Sequence, residues 1–217
     1  MTKSNKVMHI GVLTLRDLEV AGGGSIRVAG ATRHLSRLGC RVTLFAPRLT
    51  PQLEDTVRFI PIQDAPRKRL LLMYSAFPHL LGGLRHLPAN KRLAHLIGHQ
   101  EVNLLHCHAH PAGALMLLLR PTVNVPVALD IHGIKTLREE SRGLRRRVRR
   151  ALAVRGERNL FQRTDALIVR TKAEREYVAS SFGIPPNRIY AVPNGADVAL
   201  IQPVDETDRK ALRTQLG

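Results

Sequence analysis

The chain of 217 residues fits one ordinary domain with a short appendage, and 44% of it is hydrophobic, so a sizeable core is available. No apolar run approaches the ~18 residues that span a bilayer, and MTKSNKVMHIGVL lacks the apolar core and cleavage site of a secretory leader, so the chain reads as cytoplasmic. A net charge of +17 implies an anionic partner (nucleotide phosphates, nucleic acid or an acidic membrane surface), while 4% aromatic content without Trp argues against a base-stacking nucleic-acid binder.

Strand and helix patterns alternate along the chain. Val7 to Leu15 is apolar and rich in β-branched residues, as in a first strand. The run Gly22-Gly23-Gly24-Ser25 breaks it and opens a helix with Val28, Ala31, Leu35 and Leu38 on one face, closed by Gly39. Arg41–Ala46 and Val57–Ile62 read as second and third strands. Residues 67–98 read as short helices broken at Pro78, Gly82-Gly83 and Pro88. Val102–His106 reads as a fourth strand, Pro111–Leu119 as a helix, and Val125–Ile131 as a fifth strand ending at His132-Gly133. Residues 142–161 form a strongly basic helix. A sixth strand at Ala166–Val169 leads to a helix whose Thr171 and Glu174 have capping-box spacing, and whose end is Gly183. A seventh strand, Arg188–Val192, runs into Pro193-Asn194-Gly195, and residues 199–217 read as a linker with one polar helix. This alternation predicts a parallel sheet with helices on both faces and ligands at the carboxyl ends of the strands.

The residues with chemistry fall at those ends. Glycines at a helix start admit a ligand close to the backbone, and the free amides there favour an anion. The loop is not G-x-G-x-x-G, since Arg27 holds the last glycine position, and no acidic residue ends the second strand, which argues against a nicotinamide dinucleotide. His106-Cys107-His108-Ala109-His110 would place three imidazoles on one strand face, but no nearby carboxylate or second Cys/His cluster completes a metal set. Cys40 and Cys107 make no disulfide framework and read as structural thiols. Thr171 is explained by capping alone. The arginines at 145, 146, 147, 149 and 150, with Leu144, Val148 and Leu152, read either as a solvated face or as contact with an anionic leaflet. The stretch from Arg67 to Arg92 is a second candidate for such contact.

Together, AGGGSIRVAGATRHLSRLGCRVTLFAP (21–47), the H-x-H strand end, VPVALDIHG (125–133) and TDALIVRTKAEREYVASSFGIPPNRIYAVPNGAD (164–197) resemble the N-terminal domain of retaining glycosyltransferases of family 4. The resemblance runs from Met8 to about Pro203. It implies an α/β, Rossmann-like parallel sheet flanked by helices, the N-terminal half of a GT-B fold. Residues 1–198 would be the acceptor-side domain, and 199–217 the linker and start of a missing C-terminal donor-binding domain. It implies transfer of a hexose from a nucleotide sugar to an acceptor hydroxyl with retention. The acceptor would be lipid-linked, or a cell-surface polysaccharide precursor, at the inner face of the membrane. No cofactor or metal is implied, because such folds neutralise the leaving diphosphate with protein groups. Gly22 and Gly23 match the glycine pair under the donor sugar and diphosphate, and Arg27 matches a basic position after it. Gly24 stands where a side chain is commoner, which would loosen the loop. His108 would line the cleft. His132 would sit beside the transferred sugar as the candidate catalytic residue, with Gly133 after it, while Asp130 stands where Thr is commoner. Thr171 and Asn194 match further cleft positions. The fragment alone would be inactive. Two alternatives remain: a non-catalytic half-domain binding anionic membrane or nucleic acid, and a GT-B sugar epimerase.

Overall fold

The structure, a computed structural model, describes residues 7–20, 22–63, 66–134, 143–195 and 205–216. Seven strands, β1 (His9–Leu13), β2 (Arg41–Ala46), β3 (Arg58–Pro61), β4 (Leu104–His108), β5 (Val127–Asp130), β6 (Ala166–Val169) and β7 (Ile189–Ala191), form one sheet in the order β3-β2-β1-β4-β5-β6-β7. Every neighbouring pair is parallel. Helices α1 (Gly23–Arg37), α2 (Lys68–Ala76), α3 (Pro88–Gly98), α4 (Ala109–Leu119), α5 (Leu144–Arg163), α6 (Lys172–Phe182) and α7 (Glu206–Leu216) complete the fold. The strand order reverses between β1 and β4, so the chain leaves the sheet in opposite directions there and a crevice opens at their carboxyl ends.

All five residues of β1 are buried, as expected of a strand covered on both faces. Side chains alternate across the sheet, and the two faces differ. Leu13, Phe45, Leu105, Cys107, Leu129 and Leu167 join the larger core, with Leu115 of α4, Leu160 and Phe161 of α5, and Val178 of α6. Ile10, Val12, Val42 and Leu44 meet Val28 and Ala29 of α1 on the other face. The same alternation sends His106, His108 and Asp130 to the α1 face, opposite Cys107 and Leu129. Register pairs His106 with Ala128 and His108 with Asp130.

Two helix glycines permit close packing. A Cβ on Gly113 of α4 would lie 2.9 Å from Leu129 Cδ1 and 3.0 Å from Leu160 Cδ1, and one on Gly156 of α5 would lie 2.8 Å from Ser75 Oγ of α2. α2 is fastened there by Arg155 Nε to the Ala76 carbonyl at 2.7 Å and Asn159 Nδ2 to the Ser75 carbonyl at 3.0 Å.

Several boundaries differ from the sequence reading. The first strand is shorter, ending at Leu13, and α1 starts inside the glycine run, at Gly23. The buried face of α1 is Ser25, Val28, Ala29 and Thr32, whereas Leu38 is 79% exposed. A predicted face through Leu38 fails because the helix ends at Arg37, and Gly39, at φ +82°, turns the chain away. The fourth strand runs two residues further than expected and passes straight into α4. The first nine residues of α5 are exposed on all sides, including Leu144 and Val148. Among the described residues, no helix is long and apolar enough to cross a membrane.

Candidate functional site

The crevice at the β1/β4 switch point is built around one buried carboxylate. Asp130 ends β5 on the α1 face, 3% exposed. Arg27, one turn into α1, grips it with two parallel bonds: Nε to Oδ2 at 2.7 Å and Nη2 to Oδ1 at 2.9 Å. A charged carboxylate is tolerated at this depth only with such pairing. Arg27 Nη1 also donates to Asn194 Oδ1 beyond β7, so one guanidinium links three segments of the domain. His108 Nδ1 lies 3.4 Å from Asp130 Oδ2 and 3.2 Å from His132 Nε2, with His132 Nε2 3.8 Å from the same carboxylate oxygen. The ring of His106 stacks obliquely on that of His108, with centroids 4.2 Å apart.

These contacts set the charge states. Burial alone would raise the pKa of Asp130. Hydrogen bonds from His108 and from the Arg27 guanidinium outweigh it and hold the carboxyl well below its usual range. Burial lowers the His132 pKa to about 4, against the opposing pull of Asp130, and lowers that of His106 to about 3. Both rings are therefore neutral near pH 7. His132 joins His108 through Nε2, and its Nδ1 has no protein partner among the described residues.

The helix start above this cluster is bare. Gly22 occupies the N-cap in extended conformation without a side-chain cap, no acidic residue lies in the first turn, and Ser25 Oγ is spent on the Asp17 carbonyl at 3.3 Å. A Cβ on Gly22 or Gly23 would meet nothing within 4 Å, so both face open space. Gly24 differs: a Cβ there would lie 2.6 Å from Cζ of Arg16. The expectation of a loosened loop is thereby corrected, because the Arg16 guanidinium fills the space a side chain would take. Arg16 thereby lies at the start of α1, and its charge adds a minor downward push to the pKa of His132. Gly133, at φ +153°, follows His132 in a backbone conformation that glycine adopts most readily.

Of the residues singled out from sequence, Arg27, His108, His132 and Asn194 converge. Gly22, Gly23 and Gly24 form the helix start above them, and Gly133 follows His132. Thr171 does not join the cluster. Its Oγ1 accepts from Glu174 N at 3.0 Å, which accounts for it as the N-cap of α6. Asp197, the last residue of the P-N-G-x-D run, lies outside the described residues. The expectation that no carboxylate neighbours the histidines is corrected: donor atoms of His106, His108 and Asp130 all lie within 4.8 Å of one another. Both oxygens of Asp130 are already engaged by Arg27, however, so its charge is matched by a guanidinium and the set does not suit a further cation. The imidazole row is also broken. Ala109 turns the chain at φ +67°, and His110 goes under α5 instead, its Nε2 2.9 Å from Glu157 Oε1. Sequence reasoning missed Arg16 and undervalued Asp130. The alternation that sets Asp130 opposite Leu129 was legible in Val127–Ile131, whereas its arginine partner, 103 positions away, was not.

Comparison with known proteins identifies the class to which this fold belongs. The family model for Glycosyltransferase Family 4 matches residues 21–200, and the chain belongs to that family. It is 28% identical over 208 residues to a D-inositol 3-phosphate glycosyltransferase of Gordonia bronchialis, covering 91% of this chain and 43% of that protein. A protein of the same name from Kineococcus radiotolerans is 24% identical over 232 residues, covering 100% of this chain and 52% of its own. Among solved structures, Anabaena HepE in complex with UDP-glucose superposes with a TM-score of 0.66 at 17% identity, over 97% of this chain and 50% of HepE. Sucrose-phosphate synthase of Thermosynechococcus elongatus also gives 0.66, at 18% identity, over 95% and 52%. The fold is that of the N-terminal domain of GT-B glycosyltransferases. The chain spans about half the length of the curated relatives it matches.

Proposed function

We propose that this domain is the acceptor-side wall of a glycosyltransferase that moves a hexose from a nucleotide diphosphate sugar to an acceptor hydroxyl with retention of configuration. One observation carries the reading: the Arg27–Asp130–His108–His132 cluster lies beneath an uncapped helix N-terminus at the switch point of a doubly wound sheet. The free amides of α1 and the Arg16 guanidinium are suited to the charge that develops on a departing diphosphate. His132, neutral and held through Nε2, offers Nδ1 to a sugar hydroxyl. Arg27 is committed to Asp130 and Asn194, so its part is to position His108 and His132 rather than to meet phosphate. A second domain, of about the length by which the relatives exceed this chain, would bring the nucleotide, and this domain alone would then not turn over. The complex of HepE with UDP-glucose supports a UDP-hexose as the first donor to test, and the relatives' names support D-inositol 3-phosphate as the first acceptor.

The test is UDP release by the complete protein with UDP-glucose, with and without D-inositol 3-phosphate or lipid-linked acceptors. His132→Ala should lower kcat/KM by about 100-fold or more with unchanged circular dichroism, as for loss of a group that acts in the transition state. Near-normal turnover would remove His132 from the mechanism, and acceptor-independent interconversion of the sugar would favour an epimerase.

The exposed start of α5 favours a peripheral membrane role as well. Leu144 (78% exposed), Val148 (51%) and Leu152 (39%) recur at four-residue spacing among five arginines, a pattern suited to an anionic leaflet. That face would hold the cleft near a lipid-linked acceptor.

A further inference from the structure

At the opposite end of the sheet from the crevice, the strands begin, and α4 and α5 end. There Tyr74 and Pro78, the 3-10 turn Gly82–His86 and the two helix ends surround a hollow of about 880 Å³. Arg85, Arg120, Arg163, Arg188 and His79 line it, with one carboxylate, Asp165. That carboxylate is already satisfied. Arg120 Nη2 reaches both its oxygens, at 2.7 and 3.0 Å, and the Val127 amide donates to Oδ2 at 2.8 Å.

The other bonds of the lining arginines go to neutral partners. Arg188 donates to the carbonyls of Gln162 at 3.2 Å, Asp165 at 3.3 Å and Thr164, and Arg120 Nη1 donates to the Arg163 carbonyl. These carbonyls belong to the last turn of α5 and the residues after it, whose acceptors would otherwise lack partners. Carbonyl dipoles orient a guanidinium without cancelling its charge. Arg85 and Arg163 have no carboxylate partner among the described residues. Four arginines thus converge on a concave surface that holds one acid, and two of them are fixed in place beforehand. Tyr74, Leu117, Pro78 and Pro121 supply an apolar wall, and the volume lies in the range of small-molecule sites.

We propose that this hollow is a second binding site, distinct from the crevice, for a phosphate-bearing anion with an apolar body. The chemistry is shared by a soluble phosphate ester and by a phospholipid headgroup. Arg120 and Arg188 also secure the end of α5, so Arg85 and Arg163 are the residues to change.

The probe is inorganic pyrophosphate, titrated at constant ionic strength into the full 217-residue chain and followed by amide NMR shifts and calorimetry. Saturable shifts should cluster at residues 79–86, 117–122 and 162–165. Arg85→Ala/Arg163→Ala should weaken binding there about tenfold or more, the loss expected from removing charged hydrogen bonds. Arg146→Ala/Arg150→Ala removes the same charge from the exposed face of α5 and should leave that affinity within about twofold, since charges beyond a Debye length are largely screened. Equal losses in the two variants, or shifts confined to residues 22–25, would overturn the second site. The latter result would leave the proposed donor-phosphate site standing. Displacement of pyrophosphate by phosphatidylglycerol vesicles but not by phosphatidylcholine vesicles would identify a lipid headgroup as the ligand. Failure of both to displace it would identify a soluble phosphate ester.

Discussion

Arg27 and Asp130 decide whether the crevice exists. Asp130 is buried and Arg27 half-buried, and the two parallel bonds between them match the carboxylate's charge. Arg27→Ala leaves an uncompensated carboxylate beneath α1, and urea unfolding should show a loss of about 3–5 kcal/mol. Arg27→Lys keeps a charge but cannot make the two parallel bonds, so it should recover only part of that loss. The histidines predict a pH dependence. Unfolded, each takes its proton near 6.5, whereas folded His132 does so at about 4 and His106 at about 3. Between those values the unfolded chain binds more protons. Stability should therefore be full above about pH 6.5 and fall as pH drops toward 4, by up to about 1.4 kcal/mol per pH unit for each ring. The carboxyl of Asp130 adds to the loss below the ordinary carboxylate range, where the unfolded chain protonates first. His106→Asn should flatten the slope measured by denaturation between pH 6 and 4, and an unchanged slope would show that His106 does not titrate in this way.

At the scale of elements, two positions separate packing from function. Gly113→Ala forces a methyl against Leu129 and Leu160, both fully buried. Overpacking of ~1–3 kcal/mol, offset by about 1 kcal/mol of helix propensity, should leave a net loss near 1 kcal/mol in thermal or urea unfolding. Thr171→Ala should cost about 1 kcal/mol through the lost cap of α6 and leave KM for donor and acceptor unchanged in the complete protein. A raised KM would return Thr171 to the cleft. The strands and the capped helices were legible because each announces itself within a dozen residues: the short, largely apolar run of β2, the Thr171–Glu174 spacing, glycines at 39 and 183. The register that sets His108 beside Asp130 could also be anticipated once both were placed at strand ends. What could not be read was the seating of Arg16 over Gly24, or the departure of His110 from its row. Both depend on a turn that local propensity does not encode: the path of the chain after β1 in one case, and a single left-handed alanine in the other.

Across the whole molecule, charge is distributed by end and by face. The crevice at the carboxyl ends of the strands is nearly balanced, with Arg27 matched to Asp130. The hollow at their amino ends and the start of α5 are each a concentration of positive charge. If the α5 face meets an anionic leaflet, the chain should co-sediment with phosphatidylglycerol vesicles at low salt and be released by salt, and Arg146→Ala/Arg150→Ala should weaken that binding by about 1 kcal/mol per residue. Unaltered sedimentation would assign those arginines to a solvated face.

The junction of β4 and α4 constrains how such a domain can change. His108 ends the strand, Ala109 turns at φ +67°, and the helix has begun, with no connecting residue between them. The histidine before the turn is held by Asp130 and His132, and the one after it by Glu157. A left-handed alanine costs about 1–2 kcal/mol, so the backbone here is pinned from both sides against its own preference. Descent with modification usually proceeds by lengthening and recutting loops, and at this seam there is no loop to recut. Divergence must then be written into connections that do have length around this fixed centre, such as residues 14–20 after β1.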